Sequence, residues 1–431
     1  MEFGIQFTQQ LPRPWRIDSE KDLFENSLNQ IELADELGFD YAWVVEQHFL
    51  EEYSHSSAPE IFLAAASQRT QSIRLGHGVV LMPPGYNEPV RVAERIATLD
   101  LISGGRVEFG AGDSKSRMEL EGFGIDPADR REMSRDAIEQ VANMLALEPF
   151  PGYVGKHFSI PARNIVPKPT QKPHPPLWIA ASDDATIHRA AQMGVGVLAH
   201  GFFDTTEAKR VVDDYYETFK RECVPIGHAV NPNVAMLNPF FCHEDETEAL
   251  RIGLAAQGFL TYAVRHYYTF GRHRPGMTNI AERSATVRDE MGGDLPIRGS
   301  HAIGTPGQIA ERMRAFGDVG VDQTIFLHQA GNMSHEDISR SMSLFAHEVL
   351  PEFKVAEQQR QHQKRVELAP YVQAAFDRKR EAQPGIAVDI PTVDAYGLSR
   401  PAPDLSAIPA DIREQMAGLE RMRELAMRFD T

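Results

Sequence analysis

Two hydrophobic periods alternate along the first half of the chain. Short runs that are apolar at most positions (FGIQF, 3–7; FDYAWVV, 39–45; IRLGHGVVL, 73–81; RVEFGAG, 106–112) are separated by longer stretches with helical spacing. In the stretch 19–37, Leu23, Leu28, Ile31, Ala34 and Leu37 fall on one helical face, and Gly38 ends it. That spacing predicts an amphipathic helix, and a glycine after its last apolar residue is a stop signal. LAAASQRT and PVRVAERIATLDLIS read as further helices, each leading into the next strand. Strands alternating with helices predict parallel β/α units, since a parallel pair needs a crossover.

The cycle continues beyond a helix at 129–147 and a Pro/Gly-rich stretch at 150–176. LWIAAS (177–182), VGVLAHG (195–201), NVAMLNPFF (233–241) and DQTIFLHQ (322–329) complete eight strands. The fold class predicted is therefore α/β, a (β/α)8 TIM barrel over 1–353. A long insertion at 250–300, before the last strand, is expected over the active-site mouth, because barrel enzymes carry specificity on loops at the carboxyl ends of strands. The remainder, 354–431, reads as a C-terminal helical arm. Its Met416, Leu419, Met422, Leu425 and Phe429 recur at helical spacing, so this face is expected to bury itself on the barrel or on a second subunit, and a homodimer is expected.

Composition narrows the partners. The 431 residues carry 61 acidic and 44 basic side chains, a net charge of −17, which disfavours nucleic acid and anionic membrane. Hydrophobic residues at 42% support a substantial core, and no apolar run is long enough to span a bilayer. Cys223 and Cys242 stand alone without ligand spacing, so neither a disulfide framework nor a zinc site is expected, and a reducing cytoplasm fits.

Candidate chemistry lies just after the strands: Glu46, Gln47 and His48; His77, Gly78 and Met82; Gly112, Asp113 and Ser114; Ser182 to Thr186; His200 and Gly201; His328. Histidines at several strand ends raise the question of a metal, but strand one offers no HxH pair, so no metal is expected. Ser182, Asp183 and Thr186 open a helix, which suits either a phosphate or a plain N-cap. Gly76 and Gly78 inside an apolar strand leave room either for a flat cofactor ring or for the barrel's own taper.

WVVEQHF (43–49), LGHGVVLMPPGYNEPVR (75–91), LISGGRVEFGAG (101–112), PLWIAAS (176–182), IGTPGQIAERM (303–313) and SMSLFAHEVLPEF (341–353) together resemble the bacterial luciferase-like flavin-dependent monooxygenases, in the same order. The resemblance implies a barrel that takes reduced FMN from a separate flavin reductase and reacts it with dioxygen to a C4a-peroxyflavin that oxygenates a small substrate. It places the flavin against strand three, with a non-prolyl cis peptide at Gly78–Val79, and its phosphate at Ser182, Asp183 and Thr186. Three positions depart from luciferase: Gln47 replaces the catalytic histidine, Gly112 the reactive cysteine, and Asp113 a phosphate-contacting arginine. Hence Gln47 is expected only to hydrogen-bond, His48 and His77 to supply the proton, and the phosphate's positive charge to come from elsewhere.

Two other readings remain open: a deazaflavin-dependent dehydrogenase of the same superfamily, and a flavin-binding subunit without turnover. The insertion's Tyr262, Tyr267, Tyr268 and Phe270, interleaved with Arg265, His266, Arg272, His273 and Arg274, suit either a pocket for a largely apolar substrate with a polar group or a solvated helix.

Overall fold

A computed structural model describes residues 1–293, 301–382, 390–396 and 409–426. All eight apolar runs are strands: β1 (Glu2–Phe7), β2 (Tyr41–Val44), β3 (Arg74–Leu81), β4 (Val107–Gly112), β5 (Leu177–Ala181), β6 (Gly196–Ala199), β7 (Val234–Cys242) and β8 (Gln323–Leu327). Each pairs in parallel with the next, and Glu2 opposite Gln323 closes β8 onto β1, so the sheet has no free edge between the barrel strands.

Helices α1 (Ser19–Glu36), α2 (Pro59–Ser67), α3 (Pro89–Ile102), α4 (Arg117–Gly122), α5 (Arg130–Ala146), α6 (Asp184–Met193) and α7 (Thr205–Glu222) follow in turn. Local chemistry sets their ends. Pro89 opens α3 where a missing N–H costs nothing, Asp204 and Glu207 form a capping box on α7, and Gly194 takes the left-handed conformation that ends α6. Between β7 and β8 come α8 (Glu246–Arg265), a π-helical turn (His266–Phe270), α9 (Ile280–Met291), a short strand at 302–304 on β7, and α10 (Pro306–Asp318). The Pro/Gly-rich stretch contains a small antiparallel pair at 153–154 and 159–160.

Strand alternation sorts the core into two layers. Phe3, Ile5 and Phe7 point outward under the helices with Leu75, Phe109 and Phe326. Tyr41, Trp43 and Trp178 fill the barrel interior, and Val79, Leu81, Leu237 and Leu327 lie with them nearer the carboxyl ends. Trp43 donates to Gln323 Oε1 at 3.0 Å and meets Trp178 edge to face at 5.4 Å, so the interior is packed and is not a channel.

After α11 (His335–Glu348), α12 (Leu350–Ala382) crosses the amino end of the barrel. Asp322, fully buried just ahead of β8, accepts from Lys364 Nζ at 2.7 Å and Arg360 at 2.9 Å, and from the Tyr216 hydroxyl. Burial would raise this carboxyl, but the two cations outweigh it and hold it low. Removing one partner of such a buried group costs roughly 3–5 kcal/mol, so α12 is bound firmly to the end opposite the candidate site.

The chain divides into two units, Met1–Val388 and Asp389–Thr431. In the second, α13 (Ala410–Ala426) carries Ile412, Leu419, Met422 and Leu425 exposed. The expected Phe429, and residues 294–300 of the insertion, lie outside the described residues. Among the described residues, no helix is long and apolar enough to cross a membrane.

Candidate active site

The carboxyl ends of β2, β3, β4 and β5 bring most of the sequence candidates to one mouth. Glu46, last before the loop after β2 and buried, accepts from the Leu81 backbone N–H at 2.7 Å and from Asn87 Nδ2 at 2.9 Å. Its Oε1 also lies 3.0 Å from His48 Nε2. A carboxylate only accepts, so this contact fixes the hydrogen of a neutral His48 on Nε2 and leaves Nδ1 as the basic nitrogen. The ring sits among Phe123, at 4.9 Å, and Tyr86, stacked at 6.2 Å. Gln47 is half-buried beside it, and its Oε1 accepts from the Tyr268 hydroxyl at 3.1 Å.

Glu119 closes the same corner from α4. It accepts from the His48 backbone N–H at 2.8 Å and from Ser114 Oγ at 2.6 Å. Burial raises its carboxyl to about 7, against the lowering effect of those two hydrogen bonds.

β3 passes the mouth with Gly78–Val79 in the cis form, at the bond implied by the resemblance. Val79 faces the barrel interior, and a Cβ on Gly112 of the neighbouring strand would stand 2.5 Å from Val79 Cγ2. A side chain at 112 and valine at 79 therefore exclude each other. The room at Gly76 is filled by the protein itself, since a Cβ there would be 2.3 Å from the Trp43 ring; a Cβ at Gly78 would be 3.3 Å from Trp43 Cβ. The barrel's own packing accounts for Gly76 without a cofactor.

His77 is not part of the mouth. Between two inward glycines it points outward, and it lines a small cleft with Glu46, Glu60, Val80, Asn87, Arg95 and Ile96 among others. It is 1% exposed, and burial pushes its imidazole down to about 4. The period of two along the strand thus puts the His77 side chain on the face opposite Val79 and the barrel interior. His328 is likewise in the outer layer, edge-on to Phe7 at 4.8 Å, and burial lowers it to about 3. His200 is held through Nδ1 to the Leu198 carbonyl at 3.0 Å.

At the α6 N-terminus, Asp183 is the cap, accepting from Thr186 N at 2.9 Å and Thr186 Oγ1 at 2.7 Å. Burial would raise this carboxyl, but the bonds from Thr186 and Lys115 prevail and hold it at about 2. The first amides of α6 have no intrahelical acceptor, as in any helix. Lys115 reaches Ser182 Oγ and lies 3.3 Å from Asp183; Arg131 lies 3.5 Å from Asp183, and Arg130 3.4 Å from Asp113. Lys115, Arg130 and Arg131 are thus the cations gathered beside Ser182 and the start of α6, paired with Asp183 and Asp113. They were legible as GDSKSR and the pair opening α5, but nothing in the sequence places them beside Ser182. The donor set, cations plus hydroxyl plus helix N-terminus, fits a phosphate.

Residues 1–323 match the luciferase-like monooxygenase family. The chain belongs to this family. An uncharacterised protein of Sinorhizobium fredii is 33% identical over 44% of this chain and 54% of its own length, so the match spans about half of that relative. The oxygenase component of a flavin-dependent trigonelline monooxygenase from Acinetobacter baylyi is 23% identical over 80% of this chain and 94% of that protein. Among solved structures, the monooxygenase RslO1 from Streptomyces bottropensis is 28% identical, covering 82% of this chain and all of that one, with a TM-score of 0.67. The FMN complex of the oxygenating constituent of 3,6-diketocamphane monooxygenase from Pseudomonas putida (19% identity, 81% and 98% coverage, TM-score 0.62) shares the fold. So does a coenzyme F420-dependent reductase from Methanopyrus kandleri (21%, 82% and 99%, 0.58).

Proposed function

We propose that this luciferase-family chain is the oxygenase component of a two-component flavin-dependent monooxygenase, which takes reduced FMN from a separate flavin reductase and oxygenates a small, largely apolar molecule with dioxygen. The observation that carries this reading is the phosphate-fitting set of Lys115, Arg130, Arg131, Ser182 and the α6 N-terminus at the mouth of an apolar barrel interior. Reduced FMN, when bound, supplies the electrons that activate dioxygen.

The chain's own residues do the rest. Lys115 and Ser182 hold the phosphate, with Thr186 fixing the helix start. Gly112 and Val79 form a smooth wall for a flat ring. His48, with Glu46 on its Nε2, holds or takes a proton at Nδ1. The apolar walls keep water from the reacting centre. A homodimer in the cytoplasm is the accompanying expectation, for which the exposed apolar residues of α13 are the support.

The test is incubation of the protein with a flavin reductase, NADH, FMN and isotopically labelled dioxygen over a substrate panel, with mass spectrometry of the products. Label in product supports oxygenation. Hydride transfer to an oxidised deazaflavin, without use of dioxygen, supports the dehydrogenase reading, and failure to bind reduced FMN removes the monooxygenase reading.

A further inference from the structure

The insertion meets the mouth where Tyr268 donates to Gln47, the residue standing at the position of luciferase's catalytic histidine. Tyr268 lies on the π-helical turn His266–Phe270. Such turns are uncommon and concentrate at functional sites, because the extra residue re-aims the side chains that follow. The turn is tied down from below. His266 Nε2 lies 3.3 Å from His273 Nδ1, and His273 Nε2 lies 3.1 Å from Glu51. Glu51 also accepts from Gly276 N at 2.7 Å, and the fully buried Glu52 accepts from Ile280 N and Ala281 N at the start of α9, at 2.6 and 3.0 Å. Tyr53, between these anchors and the mouth, meets the Tyr268 ring edge to face at 6.4 Å.

The hydrogen inventory of the pair decides what it can bind. The Gln47 amide and the Tyr268 hydroxyl together carry three hydrogens, one of which is used in the bond between them. Whichever way the amide is turned, two donors remain. Among the described residues they find no acceptor, whereas the carboxylates nearby, Glu46 and Glu119, are already engaged by Leu81, Asn87, His48 and Ser114. Tyr53, whose ring meets Tyr268, packs with Tyr86 and Val264 on the apolar cluster of the barrel interior that includes Leu260 and Leu327. Both Gln47 and Tyr268 are half-buried, so neither is sealed in the core.

We infer that Gln47 and Tyr268 form a substrate-recognition pair that donates to a carbonyl or carboxylate oxygen carried on an apolar ring. This deepens the monooxygenase reading and rests on it for the assignment of the mouth as the substrate site. A substrate with an acceptor oxygen satisfies the free donors, while the matching hydrocarbon leaves them desolvated and unpaired.

The test compares dissociation constants, by saturation-transfer NMR on the full chain with reduced FMN under anaerobic conditions, for acetophenone against ethylbenzene and cyclohexyl methyl ketone against ethylcyclohexane. The pair is expected to favour each ketone by about tenfold or more, the effect of one good hydrogen bond. In Gln47→Leu, which removes the two amide hydrogens, the preference should fall several-fold, and in the double variant Gln47→Leu/Tyr268→Phe, which removes all three, it should reach near unity. A ratio near unity in the unmodified protein, no binding of either ketone, or an unchanged ratio in both variants overturns the inference. Reduced-FMN affinity, measured in parallel, reports on the other reading separately: its absence, with the ketone preference intact in flavin-free protein, would remove the flavin assignment and leave the pair.

Discussion

Gly112→Ala is expected to damage the site through Val79, and the structure gives the size of the effect. The added Cβ would lie 2.5 Å from Val79 Cγ2, whereas carbon atoms in contact prefer about 3.5–4.0 Å, so one must yield by roughly 1 Å. Overpacking of this kind costs about 1–3 kcal/mol. Val79→Ala alone removes two buried methyl groups, about 1.6 kcal/mol at ~0.8 kcal/mol each. In the double variant the nearest remaining atom of residue 79 is its Cβ, 3.5 Å from the new one, an ordinary contact. The loss in the double variant should therefore fall short of the sum of the two single losses by about 1–3 kcal/mol, the overpacking term. Urea unfolding of the four proteins measures the cycle, and anaerobic titration with reduced FMN shows whether affinity recovers with packing. Additivity within about 0.5 kcal/mol would refute the steric argument and leave Gly112 unexplained.

Lys115→Ala should weaken reduced FMN about fivefold, a charge-assisted bond of about 1.5–3 kcal/mol discounted to about 1 for solvent exposure, while leaving reduced riboflavin, which lacks the phosphate, unaffected; equal losses for both ligands would move the phosphate elsewhere. His48→Ala should keep reduced-FMN affinity yet release hydrogen peroxide in place of oxygenated product; wild-type coupling, measured as product per NADH, would show that another group handles the proton. Glu119 and Glu2 are both raised by burial to about 7 from an ordinary value of 4.5, so the folded state binds extra protons and their contribution to stability falls as pH rises from about 5 to 8, against the rise that the buried, lowered His77 and His328 contribute up to about 6.5. Glu119→Gln should remove part of that fall, with Glu2 keeping the remainder, and an unchanged slope of urea midpoint against pH would contradict it.

The barrel was legible because each strand is an apolar run and each helix has a stop; the expected boundaries differ from the observed ones by a residue or two, where strand ends fray into loops. Ser182, Asp183 and Thr186 were legible as a helix start. The outward face of His77 was not read, because proximity in sequence to Gly78 says nothing about face, whereas alternation along the strand does. Tyr268 and Gln47 are 221 positions apart, and Lys115 and Ser182 67. Such pairings follow from barrel closure and the path of the insertion, which no local pattern encodes.

Anaerobic titration of the purified chain with reduced FMN, followed by flavin absorbance and fluorescence, tests the central claim most directly. Stoichiometric binding that tolerates His77→Leu and weakens with Lys115→Ala is the predicted result. No binding of reduced FMN, or preferential binding of an oxidised deazaflavin, would contradict it.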